Sequence, residues 1–492
     1  MAVGVGSTAA QPHSDRVWSI ETHGIDPIPE SDRHGVPREL FWIWFAANVS
    51  ILGVSYGTYL VTFYGLNLGQ SLVAGIFGTV VSFLLVGFIS LAGKKGSTPT
   101  LVLSRASFGV VGNLLPTLIS WLALVGWEIV LVALSTLAAE TILDRIGIGK
   151  GDAVLAVSFV AIAASTIVIG LLGHATIVKI QTWFTWAFGA LTIVFIGLEF
   201  SQIDWNKVAS LPSGSFFGGF LGGMSVIMAG LGIGWVNAAA DYSRYLPRGS
   251  NSGGVVWWTT FGASLPLLVL IPFGILLAAN NPNLASSANP IGDLAAPLPT
   301  WFLVPYLLTA VGGLLAGAVL DIYSSGLNLL TLGVRIPRYQ SVAFDGVLMV
   351  IGNVYILFIA KNFISPFISF LISLGILLAS WSAIFLADLW LNRRGGYVET
   401  DLYRPEGRYG AVNWAAILAF AVAVFVGLGL VGPGLIFQPP AALTWLGYLL
   451  PLFGGKTGAL AGGGFAIPIA FLIAGVLYAI LSKLVPRRAM AR

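Results

Sequence analysis

GLGIGWVNAAADYSRYLPRG, residues 230–249, is the stretch whose reading decides the fold. It closes an apolar run that begins near Phe216. A helix meant only to cross a bilayer gains nothing from Gly230, Gly232 and Gly234, because each glycine weakens a helix. Trp235 follows them, and a charged cluster from Asp241 to Arg244 ends the run. The stretch reads as a membrane helix loosened in its middle beside an indole, so that freed backbone groups can face a substrate or an ion.

The composition supplies the setting. Apolar residues make up 57% of the 492-residue chain and charged residues 9%, against about 25% charge in soluble proteins. With a mean hydropathy of +0.90, this is a polytopic membrane protein. Its spans are helices, since transmembrane strands are short and alternate. Cysteine is absent, which excludes disulfides and thiol chemistry. The net charge of +4 is no sign of a nucleic-acid partner, because the basic residues report topology. Residues 1–39 are polar, mixed in charge and without a secretory signal pattern. They read as a cytoplasmic N-terminal tail, disordered through about residue 15.

Segments long enough to span, at ~20 residues each, lie near 40–64, 70–93, 113–138, 152–172, 176–198, 216–240, 255–279, 301–332, 342–361, 364–390, 413–432 and 464–484. They are numbered here as spans 1 to 12. The stretch 441–455 is apolar but short and reads as interfacial. With the N-terminus inside, Arg145, Lys150, Lys207, Lys361 and Lys456 fall outside, and the other nineteen of the 24 basic residues fall in the cytoplasm. A miscounted span would scramble that bias. The positive-inside rule thus supports twelve spans in a cell membrane, with residues 391–412 as a cytoplasmic loop and both termini, including a tail at 486–492, in the cytoplasm.

Acidic residues inside spans are rarer and more telling. Only Glu128 in span 3 and Asp321 in span 8 fall well inside, where a charge costs at least ~2.5 kcal/mol. If 40–198 and 216–390 form two inverted five-helix halves, with 413–485 adding two spans, then spans 3 and 8 are symmetry mates. So are spans 1 and 6. Span 1 carries FAANVSILGVSYG (45–57), in which Asn48, Ser50, Gly53, Ser55 and Gly57 interrupt the apolar run. Interrupted segments in matching positions are the best sequence pointer to a transporter binding site.

Plainer roles compete with these readings. Glycines in membrane helices often permit close packing, and Gly218/Gly222 and Gly219/Gly223 fit that use. A buried Trp is often core. Asp241 and Arg244, three residues apart, read as a local ion pair or helix-end anchor, and either intramembrane carboxylate could bond a neighbouring helix. His13, His23, His34 and His174 lie in the tail or a short connection and suggest no metal site or catalytic triad. No cofactor is implied. A membrane-embedded enzyme would need a catalytic set that the spans lack, and a channel would need polar pore-lining stripes.

At this point the residues carry a resemblance. ETHGIDPIPESDRHGVPRELFWIWFAANVSILGVSYG (21–57), SRASFGVVGNLLP (104–116), LALVGWEIV (122–130), GWVNAAADYSRYLP (234–247) and DIYSSGLNLLTLGVRIPR (321–338) resemble, in order and spacing, the signatures of the nucleobase–cation symporter-1 family, purine–cytosine permease branch. The resemblance implies a LeuT-type fold of two inverted five-helix repeats plus two spans. It implies symport of a nucleobase or related planar heterocycle with a cation. In the family a Trp of span 3 and an aromatic residue of span 6 sandwich the base; Trp127 and Trp235 match them. The amides expected on spans 3 and 8 are absent, with Leu124 or Leu131 and Leu320 in their places. Glu128 and Asp321 stand next in line, and a carboxylate accepts N–H bonds as an amide oxygen does. Asn48, Ser50 and the backbone near Gly53 and Gly232 complete the expected site.

The resemblance also frames the coupling ion. Sodium-coupled relatives use carbonyls of span 1 and hydroxyls of span 8, yet AVGGLLAGAVLDI (310–322) has no Ser or Thr. A hard cation wants several oxygens. A proton is therefore favoured over sodium, with Asp321 as carrier, Glu128 beside it and Ser324 as the nearest hydroxyl. The alternatives are an allantoin-, hydantoin- or amino-acid permease of the same fold, coupled to sodium. A monomer in the lipid bilayer is expected.

Overall fold

The computed structural model describes residues 16–286, 290–295, 297–360, 364–432, 443–462 and 464–484. The tail expected at 486–492, the first fifteen residues of the tail expected at 1–39, and Lys361 lie outside them. Helices dominate, and no strand occurs among the described residues.

Among the described residues, ten helices are long and apolar enough to cross a membrane, and a bent pair makes an eleventh span. The pair is span 1, Glu39–Asn48 and Ile51–Thr62, bent by 58°. The segment expected at 413–432 holds a helix of 16 residues, Trp414–Gly429, shorter than the ~20 residues that cover the hydrocarbon core. The stretch 443–457 forms turns and short 3-10 segments rather than a span.

The helices pair as an inverted repeat demands. Span 3 (Leu114–Arg145) lies along span 8 (Thr300–Thr331), and span 2 (Leu68–Gly96) lies along span 7 (Ser252–Asn280). Span 1 crosses span 7 so closely that a Cβ on Gly57 would stand 2.2 Å from the Ile271 carbonyl oxygen, and one on Gly274 would stand 2.1 Å from that of Val54. Only glycine lets the two backbones meet there. Span 12 (Ala466–Leu484) packs on span 10 (Ile364–Asn392) and on Trp414–Gly429, outside the repeats.

Local chemistry sets the ends. Asn67 and Gln70 form a capping box at the start of span 2, satisfying amides that a helix N-terminus leaves open. Gln70 also exchanges bonds of 2.9 and 2.8 Å with the Gly214 backbone, which fixes the approach to span 6.

The described part of the N-terminal segment is a strap laid across one end of the bundle. Ile28 N donates to Ser97 O at 2.9 Å, and His34 N to Tyr245 O at 2.8 Å. Arg33 is buried and donates through Nε to Leu246 O at 2.8 Å. Arg248 hydrogen-bonds Glu30 at the surface and holds its carboxyl below the usual carboxylate range. The 391–412 segment belongs to the same face: Tyr403 Oη donates to Ile25 O at 2.5 Å.

Candidate binding site between the broken spans

Both interrupted helices break, and they break beside each other. In span 1 the helix stops at Asn48; Val49 (φ −81°, ψ 65°) and Ser50 (φ −131°, ψ 162°) run out of helical conformation before it resumes at Ile51. In span 6 (Phe216–Ala238) the break is Leu231 (φ −110°, ψ −105°), between the helix ending at Gly230 and the turn Gly232–Trp235. Each break frees backbone groups that need partners. Tyr56 Oη donates to Gly230 O at 3.1 Å, and Gly232 N donates to Ser82 Oγ at 3.2 Å. Asn48 Nδ2 returns to Trp44 O at 2.8 Å.

A cavity of ≈ 50 Å³ opens at this junction. Trp127, Trp235, Asp321, Asn48, Ser50 and Gly53 line it, together with Tyr56, Leu131, Leu267 and Gly313. Trp235 is half-buried and set edge-on against Trp44, with centroids 5.6 Å apart and planes at 84°. Asp321 is 2% exposed, and its Oδ2 has no hydrogen-bond partner.

Two of the expected residues do not line the cavity. Glu128 follows Trp127 by one position, about 100° around the helix, so it turns away when Trp127 faces inward. It is fully buried, with Ser325, Asp321 and Asp345 as its polar neighbours. Gly232 packs against span 2, where a Cβ would stand 2.2 Å from the Ser82 carbonyl carbon. Gly230, Leu231 and Gly234 present the span 6 backbone to the cavity instead. The Ser324 hydroxyl is 3.0 Å from Tyr242 Oη, which also donates to Leu320 O at 2.8 Å.

Of the two roles expected for Asp241 and Arg244, the local ion pair does not form, and the helix-end anchor is what the contacts resemble. Asp241 Oδ1 accepts from the Thr100 backbone and hydroxyl, both at 2.7 Å. Arg244 Nη2 meets Glu21 Oε1 of the strap at 3.0 Å. Glu21 also accepts from Tyr245 Oη at 2.5 Å, Tyr323 Oη at 3.2 Å and His174 N at 2.8 Å, with Arg338 Nη2 at 3.3 Å.

Sequence reasoning missed three further groups. Asp345 of span 9 (Arg338–Ile359) is buried and accepts from Trp121 Nε1 at 2.9 Å; its position near the start of its span hid it. Ser120 Oγ accepts from Asn237 Nδ2 at 2.8 Å and from Asn328 Nδ2 at 2.7 Å, tying spans 3, 6 and 8 together. Tyr56 lies one turn after Gly53, a spacing that could have flagged it.

Two broken spans meeting at a central cavity, with span 3 packed on span 8, span 2 on span 7 and span 4 on span 9, define a secondary transporter of LeuT type. Over residues 27–450 the chain matches the family described as permeases for cytosine/purines, uracil, thiamine and allantoin. It belongs to that family. YxlA of Bacillus subtilis is 28% identical over 476 residues, covering 94% of this chain and 96% of that one. The cytosine permease of Escherichia coli K12 is 26% identical over 449 residues, covering 88% and 95%. Among solved structures, Mhp1, a nucleobase-cation-symport-1 family transporter in a closed conformation with bromovinylhydantoin bound, shares the fold with a TM-score of 0.68 at 19% identity, over 95% of this chain and 97% of that one. A sodium-coupled sialic acid symporter shares it with a TM-score of 0.63 at 12% identity, over 93% and 92%.

Proposed function

We propose that this transporter imports a nucleobase or closely related planar heterocycle in symport with a proton. It acts as a monomer in the plasma or inner membrane, with both termini in the cytoplasm. One observation carries the substrate reading: two indoles and one carboxylate, Trp127, Trp235 and Asp321, line the same cavity at the helix breaks. A nucleobase has two π-faces and a hydrogen-bonding edge. Stacking on an aromatic ring is worth ~1–3 kcal/mol per base, and a carboxylate accepts two N–H bonds from a purine or cytosine edge. Asn48 and Ser50 add polar groups to the lining. The cavity of ≈ 50 Å³ has room for a few waters, at ~10–15 Å³ each. A planar ring enters only as the lining moves, which is what alternating access supplies.

Proton coupling is supported by what faces the break in span 1. Gly313 of span 8 sits where a Cβ would stand 2.3 Å from Val49 O, and Gly317 where one would stand 3.6 Å from Ala47 O. No side-chain hydroxyl can be accommodated at Gly313, and a hard cation would lack that part of its oxygen shell. Asp321, on the same span, lines the cavity with Oδ2 unpartnered and is the proton carrier in this reading. Glu128, behind the cavity, receives the proton from it.

The test has two parts. Binding of radiolabelled adenine, hypoxanthine, cytosine, uracil, allantoin and hydantoin to purified protein is expected to include a strong hit that Trp127→Ala and Trp235→Ala weaken. Near-normal affinity in both folded mutants, or competition by nucleosides or amino acids alone, would sink the stacking site. In proteoliposomes an inward proton gradient is expected to drive uptake and Asp321→Asn to abolish that drive. Uptake driven by sodium at equal pH, and indifferent to Asp321→Asn, refutes the coupling.

A further inference from the structure

A second cleft, of ≈ 600 Å³, lies at the end of the bundle covered by the strap. Its walls come from four separate parts of the chain: the strap at Thr22–Asp26, the connection between spans 2 and 3, the turn between spans 8 and 9, and Tyr403. Arg105, Arg335 and Arg338 line it, against one carboxylate on its wall, Asp26.

Arg105 is the unusual member. It is 7% exposed, and its guanidinium lies 5.5 Å from the Tyr403 ring centre. It donates to Thr331 O at 2.8 Å and to Leu402 O at 3.2 Å. A guanidinium has five N–H donors, and the buried Nε has no acceptor. None of the ion pairs among the described residues includes Arg105. A buried cation without a counter-charge is costly, and an anion in the cleft offsets that cost. Arg338 shares the single carboxylate of Glu21, at 3.3 Å, with Arg244. Arg335 is exposed, and neither it nor Arg105 forms an ion pair among the described residues, so these two are the cleft's cations without a carboxylate of their own.

The mouth of the cleft is apolar. Val111, Leu114 and Val334 are 47%, 41% and 40% exposed, and the exposed face continues along span 3 through Leu118 and Leu122. That spacing of four keeps one helix face apolar. A soluble anion has no use for such a rim, whereas a phospholipid lays its acyl chains along it.

We infer that this cleft holds the phosphate headgroup of an anionic phospholipid, with Arg105 at its base, Arg335 at its rim and the acyl chains along span 3. Basic pockets between membrane helices bind acidic headgroups in this way. The bound lipid joins the strap to the ends of spans 3 and 8 and steadies that end of the transporter.

The experiment is thermal unfolding of the full chain in neutral detergent, titrated with phosphatidylglycerol, phosphatidylcholine, glycerol phosphate or inorganic phosphate. Phosphatidylglycerol is expected to raise the unfolding midpoint and phosphatidylcholine to leave it unmoved. Arg335→Gln is expected to weaken the phosphatidylglycerol response roughly five-fold, and Arg105→Gln to abolish it. Asp26→Asn is expected to strengthen it. Arg145→Gln, at the far end of span 3, is expected to change nothing. Equal responses to the two lipids overturn the proposal, as does a phosphatidylglycerol response unmoved by both Arg335→Gln and Asp26→Asn, which decide the matter even where Arg105→Gln does not fold. Equal stabilisation by glycerol phosphate or inorganic phosphate overturns the lipid assignment in favour of a soluble anion.

Discussion

Glu21→Gln is expected to loosen the end of the bundle that the strap closes. The Glu21 side chain is fully buried, as are those of Arg244 and Arg338 beside it. An amide keeps the shape and one acceptor oxygen but removes the charge that two guanidiniums share. Arg244 then keeps Gly24 O at 2.7 Å and the Tyr323 hydroxyl at 3.1 Å, while Arg338 keeps the carbonyls of Gly170 and Leu171. Removing one partner of a buried ion pair costs about 3–5 kcal/mol, and the surviving bonds put this case near 3. The cluster joins the strap to the ends of spans 5, 6, 8 and 9, so opening at this end must pull it apart. The cost therefore falls on the closed state, and a loss of about 3 kcal/mol multiplies the open-to-closed ratio by roughly two orders of magnitude. The chain has no cysteine, so a single cysteine at Leu124, 1% exposed and one turn from Trp127, reports opening through its rate of maleimide labelling. That rate is expected to rise at least tenfold, by the same arithmetic. A labelling rate and a thermal midpoint both equal to those of the parent would refute the idea that Glu21 holds this end shut.

Ser120→Ala leaves the amides of Asn237 and Asn328 without their shared acceptor; at about 1–3 kcal/mol per buried unsatisfied group, it should lower the unfolding midpoint measurably, and Ser120→Thr should recover part of the loss. Gly57→Ala drives a methyl to 2.2 Å from Ile271 O, an overpacking that costs about 1–3 kcal/mol or more. Its check is the yield and thermal midpoint of folded protein, and parent-like values would mean that spans 1 and 7 separate freely. Asp241→Ala removes both bonds from Thr100, whereas Asp241→Asn keeps an acceptor oxygen; the alanine variant should be the less stable of the two by about 1–3 kcal/mol, and equal midpoints would deny Asp241 its role as an anchor.

The class of fold, and which residues stand beside the helix breaks, were legible because each rested on a local, periodic signal. Long apolar runs announce spans, and glycine and asparagine in mid-span announce breaks. Once Trp127 and Trp235 were matched in spans 3 and 6, the breaks brought them to one cavity. What failed was helical phase. Glu128 stands next to Trp127, but one step along a helix turns about 100°, and that step takes it out of the cavity toward Asp345. Gly232 shared the glycine signal of Gly230 and Gly234, yet its face meets Ser82. Phase depends on how a helix is rotated against its neighbours, which a single sequence states only weakly.

The larger blind spot was partnership across the chain. Glu21 reads as one acid in a polar leader, and Arg244 as a helix-end charge whose natural partner is three residues away. The pair that forms joins residues 223 apart in sequence. Nothing local predicts it, because the warrant is burial: once the ends of spans 5, 6, 8 and 9 close over two guanidiniums, they require a counter-charge, and the strap is where one is available. The same reasoning runs in reverse at Arg105, a buried guanidinium that meets carbonyls and an aromatic ring but no carboxylate. Where the chain supplies the acid, as at Glu21, the fold is self-contained. Where no described residue supplies it, as at Arg105, the apolar rim beside the cleft is what turns the inference toward a lipid headgroup.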